Sequence, residues 1–448
     1  MAISLLWTDI MIWGLILSLV AWGRVVGRSA QVKKQWLKVF ESKIAMTSAL
    51  VLLFYVAFAL LDSVHFTTDG EGAKTQSILD MALPHLVEQT ERTYSGPFAT
   101  TEYNRSMQVI DSGEVVHDYR PLKYVDGTVS VAAESIKAIL IGLVISVFAI
   151  ALHLFWQSRK HQMGIVKHLK AVLKGQTQLP WKTAYLTVTT MIVSLAWLYI
   201  LSHSYHVLGT DKVGGDVLYE SLKSIRTGVL IGVLTTLVML PVALILGISA
   251  GLFKGWVDDV IQYLYTTLNS IPGVLLIAAA VLVMQVIMSN NPDWFSTTEE
   301  RADVRLLFLI LILGMTSWTG LCRLLRAETL KISQIEFVVA ARAFGVSRMQ
   351  IIRRHIMPNV MHIVLIAVVL DFSGLVLAEA VLSYVGVGVD PTMHSWGNMI
   401  NQARLEMARE PMVWWSLFSA FFFMFILVLA ANLFSDRVQM VLDPRSHK

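Results

Sequence analysis

Nine stretches of this 448-residue chain are apolar over a length that reaches across a lipid bilayer. A helix rises about 1.5 Å per residue and the hydrocarbon layer is about 30 Å thick, so roughly 20 mostly apolar residues are needed. The stretches are 3–23, 44–61, 136–157, 183–201, 225–252, 263–288, 304–322, 359–383 and 412–434. The first contains Asp9 and is also readable as an interfacial helix. It has no Lys or Arg before Arg24, so it lacks the basic start of a signal peptide and reads as a retained span.

Composition points the same way. The chain is 55% hydrophobic and 15% charged, with mean hydropathy +0.61. A soluble domain averages about 45–50% apolar and about 25% charged residues. Disordered and collagen-like chains are excluded on the same grounds. The single cysteine, Cys322, excludes a disulfide scaffold and a CxxC metal site. The expected fold is an all-α polytopic membrane protein.

The net charge of +4 does not indicate nucleic acid, because the basic residues sit in short loops between apolar runs. Of 36 Lys and Arg, 23 fall in 24–43, 158–182, 253–262, 323–358 and the tail 435–448. Ten fall in the alternate segments 62–135, 202–224, 289–303 and 384–411, and Lys137, Arg226 and Arg305 lie at span ends. The positive-inside rule puts the first set and the C-terminus in the cytoplasm and the N-terminus outside. Segment 62–135 carries 12 acidic residues against five basic ones, and is expected to form a small extracytoplasmic segment. Within it, Met107–Ile110 and Glu114–Tyr119 flank Asp111-Ser112-Gly113 as a short hairpin would.

Catalytic and nucleotide signatures are absent. There is no G-x-x-x-x-G-K-[ST] phosphate loop and no HExxH. The 12 His are scattered, with His161 and His168 in a basic loop, and most of the 20 Met lie in or beside spans, where Met is ordinary packing material. No catalytic residue, bound metal or resident cofactor is expected in this chain.

The segment between the seventh and eighth spans, 323–358, is different. Seven basic residues keep it out of lipid, yet Leu330, Ile332, Ile335, Val338, Val339 and Ala341 repeat with helical spacing. Gly345 supplies a helix stop. Ser347 is a natural N-cap, with Gln350 three residues on, and Pro358 marks the start of the next element. Inter-helix loops usually run about 2–8 residues. This one has its own start and stop signals, which makes it a stiff cytoplasmic bracket joined directly to two spans.

Glu336-Phe-Val-Val-Ala340-Ala341-Arg342-Ala-Phe-Gly345, followed by Arg354-His-Ile-Met-Pro358-Asn359, resembles the EAA loop of ABC importer permeases, and more narrowly the dipeptide/oligopeptide/nickel permease family. Three further segments agree. His206-Val-Leu-Gly209-Thr210-Asp211-x-x-Gly214-x-Asp216 is similar to that family's extracytoplasmic signature. Ala378-Glu379-Ala380-x-Leu382-Ser383-Tyr384 with Ser395-Trp396-Gly397-Asn398-Met399 resembles its fifth span and the loop beyond. Asn432-Leu433-x-x-Asp436 and Leu442-Asp443-Pro444-Arg445 resemble the terminal signature. Val339 stands where the EAA motif usually has its glutamate, and Gly215 where an arginine is common.

The resemblance covers 183–448 and implies a six-span permease domain there, preceded by an N-terminal extension, 1–182, with about three extra spans. It implies a C-type subunit that pairs with a second, homologous permease and two ATPase subunits, and that receives cargo from an extracytoplasmic solute-binding protein. ATP and Mg would be bound by the ATPase subunits. Coupling residues carried over from the motif are Glu336, Ala340, Ala341, Arg342, Gly345, Ser347 and Pro358, and the outer signature contributes Gly209, Thr210, Asp211 and Asp216. Di- and oligopeptides, antimicrobial peptides and nickel all lie within the family's range.

Inside the membrane, Asp371 lies near mid-span and Glu379 follows about 80° round an ideal helix. With Ser373 and Asn269 they are candidates for the translocation path. Intramembrane acids mark a pathway or an interior pairing, and both readings stand for Asp371. A different class of function, an ion-coupled secondary transporter or a channel, would use Asp371 and Glu379 as its paired acids. A membrane scaffold without transport is a third. For segment 62–135, docking of the binding protein or sister permease stands beside a purely stabilising role.

Overall fold

The structure, a computed structural model, describes residues 2–4, 6–26, 30–67, 75–109, 115–125, 127–160, 164–295 and 297–442. The hairpin corner Asp111-Ser112-Gly113, His161 and Asp443-Pro444-Arg445 lie outside the described residues. The helices are α1 (Trp7–Val26), α2 (Ala30–Phe40), α3 (Lys43–Asp62), α4 (Ile78–Ala82), α5 (Pro84–Glu88), α6 (Val131–Lys160), α7 (Ile165–Leu173), α8 (Trp181–Leu201) and α9 (Val217–Phe253). They continue with α10 (Trp256–Ser270), α11 (Gly273–Asn290), α12 (Thr298–Ile332), α13 (Glu336–Ala343), α14 (Arg348–Ile351), α15 (Met357–Tyr384), α16 (Trp396–Glu406) and α17 (Trp415–Leu442). Strands β1 (Ala2–Ser4), β2 (His65–Thr67) and β3 (Thr75–Ser77) form one antiparallel sheet, and β4 (Ser106–Val109) pairs with β5 (Val115–Asp118). The second pair has the register Val109↔Val115, as the hairpin reading requires.

Among the described residues, eight helices are long and apolar enough to cross a membrane, by length and composition. Six follow residue 180, in agreement with the expected six-span domain. Two precede it, α3 and α6. The ninth expected span, 3–23, falls on α1, which starts at Trp7 because residues 2–4 pair with β2; its described apolar stretch is Trp7–Ala21.

The expected sixth span, 263–288, is also corrected. It is two helices, α10 and α11, separated at Ile271-Pro272. Ile271 is extended (φ −92°, ψ 131°), as the clash with the Pro272 ring demands of a preceding residue. The apolar crossing therefore begins at Gly273, and α10 is an amphipathic helix ahead of it.

Contacts divide the chain into two compact units. One contains residues 1–4, 26–227 and 394–434, the other 5–25, 228–393 and 435–448. This is a different cut from the 182/183 boundary drawn on family resemblance.

In the first unit, α6 and α8 pack along their lengths. An ionic cluster ties the segment after α3 to the start of α9. Lys223 Nζ lies 2.7 Å from Asp62 Oδ1 and 2.9 Å from Asp80 Oδ1. Ser77 caps α4 by accepting from Asp80 N, and its own hydroxyl donates to Asp62 at 2.6 Å. The Tyr219 hydroxyl donates to Asp80 at 2.8 Å. Two carboxylates share one lysine here, each side chain at most 12% exposed.

In the second unit, α12 is the central helix, packed against α10, α11 and α15. Its core includes Ile248, Leu252, Ile261, Tyr265, Leu325 and Ile332, all nearly solvent-free. At the other end, the Thr8 amide and hydroxyl both donate to Asp303, fixing the start of α1 to α12.

Removing one member of a buried ion pair leaves the other charged and unpaired, at a cost of about 3–5 kcal/mol. Lys223→Met is therefore expected to lower the thermal midpoint of the purified protein strongly, and Lys223→Arg to restore part of it. An unchanged midpoint in Lys223→Met would show that this cluster does not hold the segment after α3.

Candidate functional site

The bracket of the second unit is built as follows. α12 runs on past its apolar stretch to Ile332, turns through Ser333–Ile335, and enters α13. Gly345 then takes φ +78°, a left-handed conformation that L side chains rarely adopt, and closes α13 by donating to the Arg342 carbonyl at 3.1 Å. Ser347 accepts from the Gln350 amide and starts α14. The motif's turn chemistry thus forms as read.

Pro358 marks the start of α15. It lies in the first turn of α15, where its missing N–H costs little, and a single π-turn, Ile352–Ile356, joins α14 to α15. Arg348–Tyr384 is consequently one helical run of 37 residues. The second arm of the bracket is the first part of a helical run long and apolar enough to cross a membrane.

One face of the bracket is buried and the other open. Val338, Ile351 and Ile356 are at most 1% exposed and pack into the core with Leu252, Ile261 and Tyr265. Phe344 (87% exposed), Met349 (67%), Val339 and Phe337 face outward. Monomeric surfaces rarely carry apolar groups so close together without a partner. Glu336, Ala340, Arg342, Gly345, Ser347 and Pro358 are exposed, and Ala341 is half-buried. The position where a glutamate is usual, Val339, is on the open side.

A brace that the motif reading missed holds this region. Arg326 of α12 makes a two-pronged contact with Asp258 of α10, Nε to Oδ1 at 2.6 Å and Nη2 to Oδ2 at 2.7 Å. The hydrogen bonds from Arg326 hold the Asp258 carboxyl below its ordinary range. Its sequence signal was an acid in the first turn of an amphipathic helix.

The outer signature lies in the first unit and is buried. Asp211 accepts the amides of Val213 (3.0 Å) and Gly215 (2.6 Å), forming its own turn. Asp216 Oδ1 accepts the amides of Leu218 and Tyr219 at the start of α9. Thr210 donates to the Thr93 carbonyl and accepts the Ser95 amide, and its own carbonyl accepts Trp415 Nε1 at 2.9 Å. Gly209 hands its carbonyl to the Val217 amide at 3.1 Å.

The acidic segment sits directly on this turn. The Glu91 amide donates to the Gly214 carbonyl at 2.9 Å, and its carboxylate accepts the amides of Lys123 and Tyr124. A Cβ on Gly214 would fall 1.8 Å from the Glu91 carbonyl oxygen, and its φ is +78°. Only glycine permits this approach. His206 is held between carboxylates, with Nδ1 2.7 Å from Asp216 Oδ2 and Nε2 3.7 Å from Glu91 Oε1. Burial lowers the His206 pKa, but Asp216 and Glu91 outweigh it and raise the imidazole above its ordinary value.

The intramembrane candidates do not form one constellation. Glu379 is 3% exposed and accepts the Ser383 hydroxyl at 2.7 Å. Ser373 is buried, and Asp371 is half-buried with no hydrogen-bond or ion-pair partner among the described residues. Asn269 is exposed at the end of α10, where its Oδ1 accepts the Thr319 hydroxyl at 3.1 Å. No group of three or more His, Cys, Asp or Glu suited to a metal occurs among the described residues.

The raised His206 pKa gives a pH signature. Its contribution to stability is complete below the unfolded value of about 6.5 and is lost as pH rises through the folded value. Thermal midpoints of wild type should fall along that alkaline limb, and His206→Gln should flatten the limb. Identical slopes in the two proteins would contradict a charged His206.

Residues 243–448 match the family model of the binding-protein-dependent transport system inner membrane component. The glutathione transport system permease protein GsiD of Pectobacterium atrosepticum is 30% identical over 242 residues, covering 54% of this chain and 73% of that protein. The oligopeptide transport system permease protein OppC of Mycobacterium tuberculosis is 32% identical over 241 residues, covering 54% and 76%. OppC of Haemophilus influenzae is 31% identical over 242 residues, covering 54% and 71%. Among solved structures, an inward-facing conformation of the MetNI methionine ABC transporter matches 50% of this chain and 94% of its own at 19% identity and TM-score 0.36. None of these relatives supports the ion-coupled alternative. The chain belongs to the family of binding-protein-dependent transport system inner membrane components, and is a multi-pass permease subunit of an ABC importer.

Proposed function

We propose that this permease forms half of the path by which an ABC importer takes up peptides, with its cytoplasmic bracket as the lever. The names of its relatives, oligopeptide and glutathione permeases, support a short peptide or peptide-like cargo. Two ATPase subunits would bind ATP and Mg, since this sequence carries no phosphate loop. A sister permease completes the path, and an extracytoplasmic binding protein delivers the cargo.

The observation that carries the mechanism is the unbroken run Arg348–Tyr384. An ATPase that grips Phe344 and Met349 pulls on an arm with no joint between it and the membrane. Val338, Ile351 and Ile356 lock that arm to α9, α10 and α12, so the load reaches several spans together. Packed cores resist continuous deformation, and the spans tilt as a body. Glu336, Ala340, Ala341, Arg342, Gly345, Ser347 and Pro358 present or shape the gripped surface.

In this reading the bracket lies in the cytoplasm and the N-terminus outside, which the distribution of basic loops supports. The pairing of β1 with β2, immediately after α3, supports the latter by setting the chain start beside the acidic segment. Asp371, with no partner among the described residues, lines the path and attracts a peptide's amino group.

Gly345→Val forces a β-branched residue into φ +78°, a strain of roughly 1–3 kcal/mol. Peptide-stimulated ATP hydrolysis by the reconstituted complex should fall at least about tenfold while the subunits still co-purify. Untouched coupling would remove the bracket as lever. Asp371→Asn should reduce uptake of peptides with a free amino terminus and leave the thermal midpoint near wild type. Normal uptake of every peptide tried would exclude Asp371 from the path.

A further inference from the structure

At the end of α12 remote from the bracket, the second unit contains a cavity of about 370 Å³ between α11, α12 and the Asp390 loop. Arg301 and Arg305 enter it from successive turns of α12, and Gln285 enters from α11. Arg305 reaches Asp390 at 3.2 Å through one terminal nitrogen and the Gly388 carbonyl at 3.4 Å through the other. Its Nε is buried without an acceptor, and so is the Gln285 side-chain nitrogen. Arg301 has no ion-pair partner among the described residues. Against the single negative charge of Asp390, the pocket holds two guanidinium groups and two stranded buried donors. A buried donor without an acceptor is unfavourable, so the site is short of acceptor oxygens.

Depth and shape narrow the ligand. Gln285 lies five residues before the end of α11, about 8 Å along it. Arg305 lies seven residues into α12, about 10 Å along it. Both are at the level of the membrane interface, where a free solute and a headgroup compete. Leu282 and Val286 line the same cavity, and with Leu275 they form one exposed stripe on α11, 64%, 51% and 57% exposed in the order Leu275, Leu282, Val286. Positions 275, 282 and 286 fall within about 40° of one another on an ideal helix, and the stripe descends about 16 Å from the pocket. A cationic, donor-rich pocket at the interface with an apolar track leading inward suits an amphiphile with an anionic head.

We propose that this pocket binds the phosphodiester headgroup of an anionic phospholipid in the leaflet opposite the coupling bracket, with one acyl chain along Leu275, Leu282 and Val286. The two non-bridging oxygens supply the acceptors that Arg305 Nε and Gln285 lack, and Arg301 balances the charge. The surplus of one positive charge favours phosphatidylglycerol over a zwitterionic lipid. Nothing in this assignment depends on which cargo the transporter carries.

The test uses the assembled transporter, purified and offered dioleoyl-phosphatidylglycerol or dioleoyl-phosphatidylcholine, with bound lipid counted by native mass spectrometry. Wild type should retain phosphatidylglycerol preferentially. Arg301→Gln should retain about tenfold less, as expected for one charge-assisted hydrogen bond, and Gln285→Leu should also retain less. Equal retention by all three proteins, or no preference between the two lipids in wild type, would overturn the proposal. Loss of the sister permease from the Arg301→Gln complex would also overturn it, by marking a subunit contact. So would a thermal shift of wild type, but not of Arg301→Gln, by inorganic phosphate without retained lipid, which would assign the pocket to a soluble anion.

Discussion

The fixed shape of the bracket depends on the burial of three side chains beneath it, Val338, Ile351 and Ile356. Each removes an aliphatic group from water, at about 1.5–3 kcal/mol per fully buried side chain, and together they fix the bracket to its neighbours. Without that seat, α13 would be an eight-residue helix with too few hydrogen bonds to persist alone. With it, the outward residues can be apolar and still hold a fixed geometry. The Arg326–Asp258 contact adds direction to this packing, because a two-pronged guanidinium–carboxylate pair resists rotation as well as separation.

In the first unit, the organising contact is between the acidic segment and the signature turn. Thr210, Asp211 and Asp216 are each at most 6% exposed, and their polar groups are consumed by backbone amides, His206 and residues 93–95. Such residues act as scaffold in this chain, beneath the segment that covers them. The charged cluster around Lys223 performs a similar task nearer α3, joining Asp62 and Asp80 to the first turns of α9.

The sequence conveys local structure well and long-range structure poorly, for physical reasons. Gly345 and Ser347 act through their own backbone and the next three residues, so the corner of the bracket is readable from composition and spacing. The six spans after residue 180 are readable because lipid demands long apolar helices. Pro358 opens α15 because a first-turn proline gives up an N–H that would have no partner there anyway. Pro272, a residue of the same type, ends a helix, since the backbone before it is free to extend. The Lys223 contacts join residues 143 and 161 positions apart, and no periodicity announces them. Glu379 and Asp371 looked alike as intramembrane acids, yet burial separates them: one is enclosed with Ser383, the other stands half-open.

The close approach of Glu91 to Gly214 has a practical corollary for anyone recombining this protein with its relatives. The turn at 206–216 and the strip at 91–124 are complementary halves of one joint, closed by main-chain bonds that read shape and ignore side-chain identity. A chimaera that imports one half alone inherits either an uncovered turn or an orphaned strip. Exchange between family members should therefore move the two segments as a matched set, although more than 80 residues and three helices separate them along the chain.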